Sequence, residues 1–262
     1  MSHHHIICNN VSFSYEKNAE ILHEINFTAG HDDAIGLIGA NGVGKSTLLR
    51  ILVGLEMGFT GEVTVGEIKV TKKTLPRIRE KIGYVFQDSE NQLFMPTVYE
   101  DIAFAPRNYG LDADQVDDRV SHALKLIGID YLRNKQPYKM SGGEKKLAAI
   151  ATILAMTPDV IIMDEPTIAL DPRNRRRLIN ILNGLDHIKI IASHDLDMVL
   201  ETCNRVILMS EGKIIADGAT RDILSNKELL EANGLELPFC LQGDTHASFV
   251  SKVPPHEHIH LL

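Results

Sequence analysis

The sequence predicts an α/β fold, a parallel sheet covered by helices, with antiparallel strands ahead of it and a helical subdomain inserted within it. Three observations carry this. Short apolar runs, "DAIGLIG" (33–39), "DVIIMDE" (159–165), "IKIIAS" (188–193) and "RVILMS" (205–210), are separated by stretches of helical periodicity, the alternation expected of a sheet with helices packed on it. A glycine-rich loop joins the first of these runs to the apolar-periodic segment "KSTLLRILVG" (45–54). From about Asp88 to Pro158 the strand texture gives way to helical patterning with polar joints such as "GLDADQ" and "NKQPYK".

Taken in order, residues 5–13 and 21–27 alternate as antiparallel strands, with "EKNAE" as the polar connection between them. The run at 33–39 reads as a short buried strand, and the helix that follows stops at Gly54. "GEVTV" and "KIGYVF" read as further strands. After about residue 225 the period weakens, and "LPFCLQGDTHASFVSKVPPHEHIHLL" reads as an appended tail. The expected division is a main domain over 1–224, with its helical subdomain at about 88–158, and a C-terminal extension over 225–262. A chain of 262 residues then has one large core carrying a subdomain.

With 44% apolar and 24% charged residues the composition is that of a globular domain, and a net charge of −8 argues against a surface that wraps nucleic acid. Cys8, Cys203 and Cys240, odd in number and far apart, suit free buried thiols in a reducing compartment. The first ten residues, "MSHHHIICNN", lack the pattern of a secretory signal. The longest apolar segment runs only from Leu147 to Met156, against the roughly 20 residues a membrane span requires. Any membrane role is expected to be peripheral.

The chemistry starts at Gly39-Ala-Asn-Gly-Val-Gly-Lys-Ser46. Gly39, Gly42 and Gly44 let successive backbone N–H groups, Asn41 and Thr47 among the contributors, converge on an anion at a helix N-terminus. Lys45 then reaches the terminal phosphates, and the Ser46 hydroxyl ligates Mg²⁺. Downstream, "VIIMDE" is a buried strand whose end delivers Asp164 to the metal shell and Glu165 to an attacking water. Ser141-Gly142-Gly143 precede a long helical run, and Glu144 three residues on makes a capping box with Ser141. The same helix start also presents bare amides to a second anion. Asp171, followed by Pro172, is an N-cap. Arg173, Arg175, Arg176 and Arg177, at the dipole end that favours anions, read as a solvated face or else an interface with acidic groups.

As a set, the phosphate loop, Gln87 after "GYVF", the signature "MSGGE", the Walker B strand, the "ALD" loop (169–171) and His194 in "SHD" resemble the ATP-binding cassette (ABC) ATPases over nearly the whole chain to about residue 224. The resemblance implies a RecA-like P-loop NTPase core and an ATP hydrolase that works as a pair of cassettes, with ATP and Mg²⁺ bound between them. The second cassette is an identical chain or a relative. Lys45 and its loop on one subunit would face Ser141, Gly142 and Gly143 of the other, with the loop of Asp171 crossing the interface. Glu165 would be the general base, His194 would hold the γ-phosphate, and Gln87 would sit near the Mg²⁺ and the water. Tyr15 occupies the place of a ring that stacks on adenine, or packs as an ordinary strand aromatic. Met140, Glu144 and Ile168 depart from the family's usual leucine, glutamine and small residue, and the last bears on close approach at the dimer interface.

The segment "DSENQLFMPTVYEDIAFAPRNYGL" puts Leu93, Phe94, Met95, Val98 and Tyr99 after an acidic-amide run. This composition suits an exposed groove for a partner helix, or core packing. It looks like the ATPases of energy-coupling-factor importers, which take up cobalt, nickel and vitamins. That resemblance implies integral membrane subunits docked between Gln87 and Tyr99, a position at the cytoplasmic face of the membrane, and no nucleic-acid partner. A cassette protein acting in repair or translation is the alternative. Among twelve histidines, His3, His4 and His5 and the C-terminal His246, His256, His258 and His260 could bind Ni²⁺ or Co²⁺, or be a tag and a polar tail.

Overall fold

The computed structural model describes residues 6–16 and 19–242. The histidine-rich ends named above lie outside these residues.

Strands β1 (Ile6–Glu16) and β2 (Ala19–Ala29) pair antiparallel, with Ile6 opposite Ala29 and Cys8 opposite Phe27. Strand β3 (Ala34–Ile38) is buried throughout and runs into the glycine loop, from which helix α1 (Lys45–Leu52) emerges. Strand β4 (Thr60–Val65) returns to the other edge of β1, and β5 (Ile68–Lys69) completes a sheet of order β2-β1-β4-β5. Next come α2 (Leu75–Lys81) and β6 (Ile82–Val85).

The helical layer follows as α3 (Val98–Asn108), α4 (Ala113–Ile127) and α5 (Gly142–Leu154). Each start is capped by a side chain its sequence supplies: Thr97, Asp112 with Gln115, and Ser141 with Glu144. Helix α4 ends at Gly128 in the left-handed conformation and buries Val116, Val120, Ala123, Leu124 and Ile127 along one stripe.

The chain then alternates through β7 (Val160–Asp164), α6 (Pro172–Asn183), β8 (Ile188–Ala192), α7 (Leu196–Thr202) and β9 (Arg205–Ser210). It closes with β10 (Lys213–Ala219), α8 (Thr220–Leu224) and α9 (Lys227–Ala232). The second sheet has the order β10-β9-β3-β8-β7-β6, parallel except for β10 at the edge. The α/β core, antiparallel subdomain and inserted helical layer match the expected fold class.

The central strands are buried on both faces, so each separates two cores. Val160 and Ile162 join Leu48, Leu49 and the antiparallel sheet, whereas Ile161 and Met163 join the helical layer. This period of two within an unbroken apolar run explains why "VIIM" has no polar face.

The described residues beyond 225 pack on the main domain: α9 buries Leu230 in the helical-side core, and the Asp197 carboxylate accepts from the backbone N–H groups of Phe239 and Cys240 at 3.0 Å. Two readings are resolved by the structure. The reading of all three cysteines as buried thiols fails at Cys240, which is exposed, while Cys8 and Cys203 are buried and free. In the proposed groove Leu93 and Val98 are core residues, and Tyr99 packs under the guanidinium groups of Arg107 and Arg133. What remains exposed there is Phe94, stacked edge-on against Phe104, with the Phe94 and Met95 amides pinned by the buried Asp101 carboxylate at 2.9 Å.

Candidate functional site

Parallel strands aim their C-terminal ends the same way, and loops after β3, β7 and β8 therefore converge, the place where such sheets bind ligands. The loop after β3 takes Gly39, Gly42 and Gly44 through φ values of 148°, 80° and 103°, which residues with a Cβ rarely adopt. A Cβ on Gly39 would fall 2.3 Å from the Met209 carbonyl oxygen, and one on Gly44 would lie 2.6 Å from Leu22 Cδ2. Helix α1 begins at Gly44 without a side-chain cap, which leaves its first amides for an anion. Gly39→Ala is expected to cost about 1–3 kcal/mol of stability through this clash and to weaken ATP binding. Thermal melting with and without nucleotide checks it, and an ATP-induced shift equal to the parent's would count against the role of Gly39.

Lys45, at the start of α1, is 7% exposed and donates to the carbonyls of Gly39 at 2.7 Å and Ala40 at 3.0 Å, with His194 Nε2 at 3.3 Å. Burial lowers its pKa, and the charges of Glu165 and Asp164 partly restore it. The next residue, Ser46, donates its hydroxyl to Asp164 Oδ1 at 3.0 Å, and the Tyr84 hydroxyl reaches Asp164 Oδ2 at 3.4 Å. Both carboxylate oxygens are thus oriented from two sides.

Glu165 follows the end of β7. Its N–H donates to the Ala192 carbonyl at 2.9 Å, which holds the end of β7 against that of β8 and brings Glu165 to Ser193 and His194. Its φ is +49°, a strained value for a residue with a side chain. Oε2 accepts from the His194 N–H at 3.2 Å and the Ser193 hydroxyl at 3.5 Å. Oε1 is buried without a hydrogen-bond partner among the described residues, with His194 Nε2 3.5 Å away. Burial raises the Glu165 pKa, opposed chiefly by the His194 amide and by Lys45. The His194 pKa is lowered by burial and by Lys45, which favours the neutral ring.

A cavity of about 590 Å³ is lined by Asn41, Gly42, Gly44, Lys45, Ser46, Thr47, Gln87, Glu165, Ile168 and His194. The structure thereby unites the phosphate loop with Gln87, Glu165 and His194, and Asp164 joins them through Ser46. Tyr15 lies to one side, half exposed, edge-on to Phe13 and with its hydroxyl 3.4 Å from Thr47 Oγ1. Ser141, Gly142, Gly143 and Asp171 do not line this cavity. Gly142 instead borders an adjacent one of about 460 Å³ with Gln87, Lys145, Lys146 and Asp164. Ser141 and Asp171 both cap helices, with side chains accepting from Glu144 N at 3.2 Å and Asn174 N at 2.8 Å.

Sequence reasoning missed two features. Read as a solvated face or an interface with acidic groups, the arginines of α6 are mostly paired within the chain. Arg175 clamps the Asp195 carboxylate through two bonds of 2.5 and 2.7 Å, Arg176 pairs with Glu201, and Arg177 donates to the Gly128 carbonyl. Asp195 in turn caps α7 through Met198 N at 2.9 Å, so Arg175 fixes the loop that carries His194. The second is Lys146 in α5, 1% exposed, whose ammonium donates to the carbonyls of Phe86 at 3.0 Å and Gln87 at 2.6 Å. Its only signal in the sequence is a charge at an apolar-phase position of α5.

The ABC transporter family model matches residues 22–168. A Geobacter sulfurreducens protein assigned as an ABC transporter ATP-binding protein is 48% identical over 93% of this chain and 98% of its own length. The energy-coupling factor transporter ATP-binding protein EcfA of Methanocaldococcus jannaschii is 40% identical, over 86% of this chain and 83% of that protein. The structure of CbiO1 from Clostridium perfringens, part of the ABC transporter complex cbiONQ, superposes with a TM-score of 0.79 at 32% identity, covering 96% of this chain and all of that one. The cassette MJ0796, a dimer bound to ADP and phosphate, superposes at 0.75 with 27% identity, over 82% of this chain and 99% of its own. With its glycine loop, carboxylate strand end and histidine loop converging on one cavity, this chain belongs to the ABC transporter family and is an ATP-binding, ATP-hydrolysing subunit.

Proposed function

We propose that this chain powers an energy-coupling-factor type importer for a transition metal, cobalt or nickel, or a vitamin, acting as half of a cassette pair on the cytoplasmic face of the membrane. The observation that carries the reading is the likeness to CbiO1 over 96% of this chain and the whole of that protein, supported by 40% identity to EcfA. No described helix is long and apolar enough to cross a membrane, so transport needs membrane partners. The exposed edge-on pair of Phe94, on the loop pinned by Asp101, and Phe104, on α3, gives them an apolar foothold.

In this reading Lys45 exchanges its bonds to the Gly39 and Ala40 carbonyls for phosphate oxygens, and the uncapped start of α1 receives the remaining charge. Glu165 Oε1, without a hydrogen-bond partner among the described residues, accepts the proton of the attacking water, its basicity raised by burial. His194, neutral and set by the Arg175–Asp195 clamp, faces the γ-phosphate. Ser46, Asp164 and Gln87 form an all-oxygen donor set suited to Mg²⁺. When bound, Mg²⁺ would neutralise charge on the β- and γ-phosphates. Tyr15 stacks on adenine.

Ser141, Gly142, Gly143 and Asp171 of a facing subunit complete the pocket. ATP closes the pair because it binds the closed state more tightly, since a ligand indifferent to the two states shifts nothing. Hydrolysis and phosphate release reopen it. The main domain at 1–224 does this work, and in the extension at 225–262 the amides of Phe239 and Cys240 bond to Asp197 of α7.

Affinity purification of the tagged chain from detergent-solubilised membranes is expected to bring down a hydrophobic integral-membrane protein, and Phe94→Asp is expected to abolish that recovery. Purification as a soluble protein with no membrane partner under the same conditions would count against the importer.

A further inference from the structure

We infer that Lys146 is a positioning residue for ATP hydrolysis, its ammonium tying the first turns of α5 to the backbone that carries Gln87. The inference rests on the role given to Gln87 above.

Residues 86–92 leave the sheet where β6 ends at Val85, and the side chains of Gln92 and Lys146 tie them to α5. From the loop, Gln92 Nε2 donates to the Ala149 carbonyl and to Thr152 Oγ1, both at 2.8 Å, while its Oε1 accepts from Phe86 N at 3.3 Å. From the helix, Lys146 Nζ holds the carbonyls of Phe86 and Gln87 at 3.0 and 2.6 Å. These bonds grip the backbone on both sides of the Phe86–Gln87 peptide link, so they orient that unit rather than merely neighbour it. Gln87, the gripped residue, lines both the 590 Å³ cavity and the 460 Å³ one.

Packing alone does not account for a lysine here. At 1% exposure Lys146 is among the largest fully buried side chains, beside Leu147 and Ile150 in the same core. A charge so placed is rarely better for stability than an apolar group of similar volume. What it supplies is direction: a long stem ending in several donors aimed at two carbonyls; burial lowers its pKa to about 8, partly opposed by the carboxylates of Asp164, Asp88 and Glu165. A shift of α5 against the sheet would therefore drag the Gln87 backbone with it. This makes Gln87 report the position of the helix that begins at Ser141-Gly142-Gly143.

The test is steady-state ATP hydrolysis by the full chain at varied ATP, with melting recorded for each variant. Lys146→Met is expected to lower kcat by about tenfold with KM for ATP held within about twofold, since the phosphate-loop contacts are untouched. Lys146→Gln, which keeps a donor for one carbonyl, is expected to lose only about threefold. In a Gln87→Ala background neither substitution lowers kcat further, the non-additivity of groups acting as one unit. If the methionine variant does not fold, the glutamine variant runs the same cycle. Parental kcat in Lys146→Met, a raised KM with unchanged kcat, or losses that multiply with Gln87→Ala would overturn the inference alone. Parental turnover in Gln87→Ala would remove the role of Gln87, and the inference with it.

Discussion

Glu165→Gln is expected to bind ATP and hold the cassette pair closed while turnover falls by about 100-fold or more, the range that loss of a general base allows. The side chain is nearly isosteric, and its oxygen still accepts from the His194 N–H and the Ser193 hydroxyl that orient Oε2. What disappears is the acceptor at Oε1, buried and without a partner among the described residues. An amide there cannot take a proton from water. Because the substitution removes a transition-state function and leaves the phosphate loop intact, kcat falls and ATP affinity survives. Single-turnover hydrolysis and size-exclusion chromatography with ATP check both halves. Near-parental turnover would move the base elsewhere.

Lys45→Ala acts on the other side of the pocket. The ammonium is buried, hydrogen-bonded to two carbonyls of its own loop, and flanked by Asp164 and Glu165. Its alkyl stem and charge are both lost. A charge-assisted contact to phosphate contributes about 1.5–3 kcal/mol, so ATP affinity is expected to fall by roughly 10–100-fold. Isothermal titration with ATP and Mg²⁺ measures it. Unchanged affinity would deny Lys45 its phosphate role. Since Lys45 also braces Gly39 and Ala40, the alanine chain is expected to melt at lower temperature without nucleotide.

The two variants separate binding from chemistry, and they touch residues adjacent in space but far apart in sequence. Register joins them. Parallel pairing of β3 with β8 and of β7 with β8 sets the ends of all three strands at one level. The Glu165–Ala192 backbone bond carries that alignment one residue past the sheet.

Local rules were enough for several parts. Strand, glycine loop and helix at 33–54 were legible because a tight left-handed turn and an uncapped helix start each demand particular residues. Asp171 and Ser141 cap helices because their side chains reach amides only three residues away. Two elements escaped: α2 carries a proline in its first turn and buries only Ile78, and β10 is an edge strand that alternates between exposed and half-buried residues with no fully buried face. Exposure of Leu93 and Val98 stays open in the sequence because a short apolar run looks the same whether it faces a groove or the core beneath it.

By itself the chain's sequence determined where a glycine loop opens a helix, which carboxylates end the buried strand, and that antiparallel, helical and parallel parts coexist. All of these depend on neighbours within a few residues along the chain. Only the tertiary structure decided that Arg175 clamps Asp195, that Tyr84 steadies Asp164, and that Lys146 grips the Phe86 and Gln87 carbonyls. Those contacts join residues 20, 80 and 60 or 59 positions apart. The physical reason is that a long polar side chain has no preference of its own for solvent or a partner. Packing of distant elements chooses by removing the water it would otherwise bind.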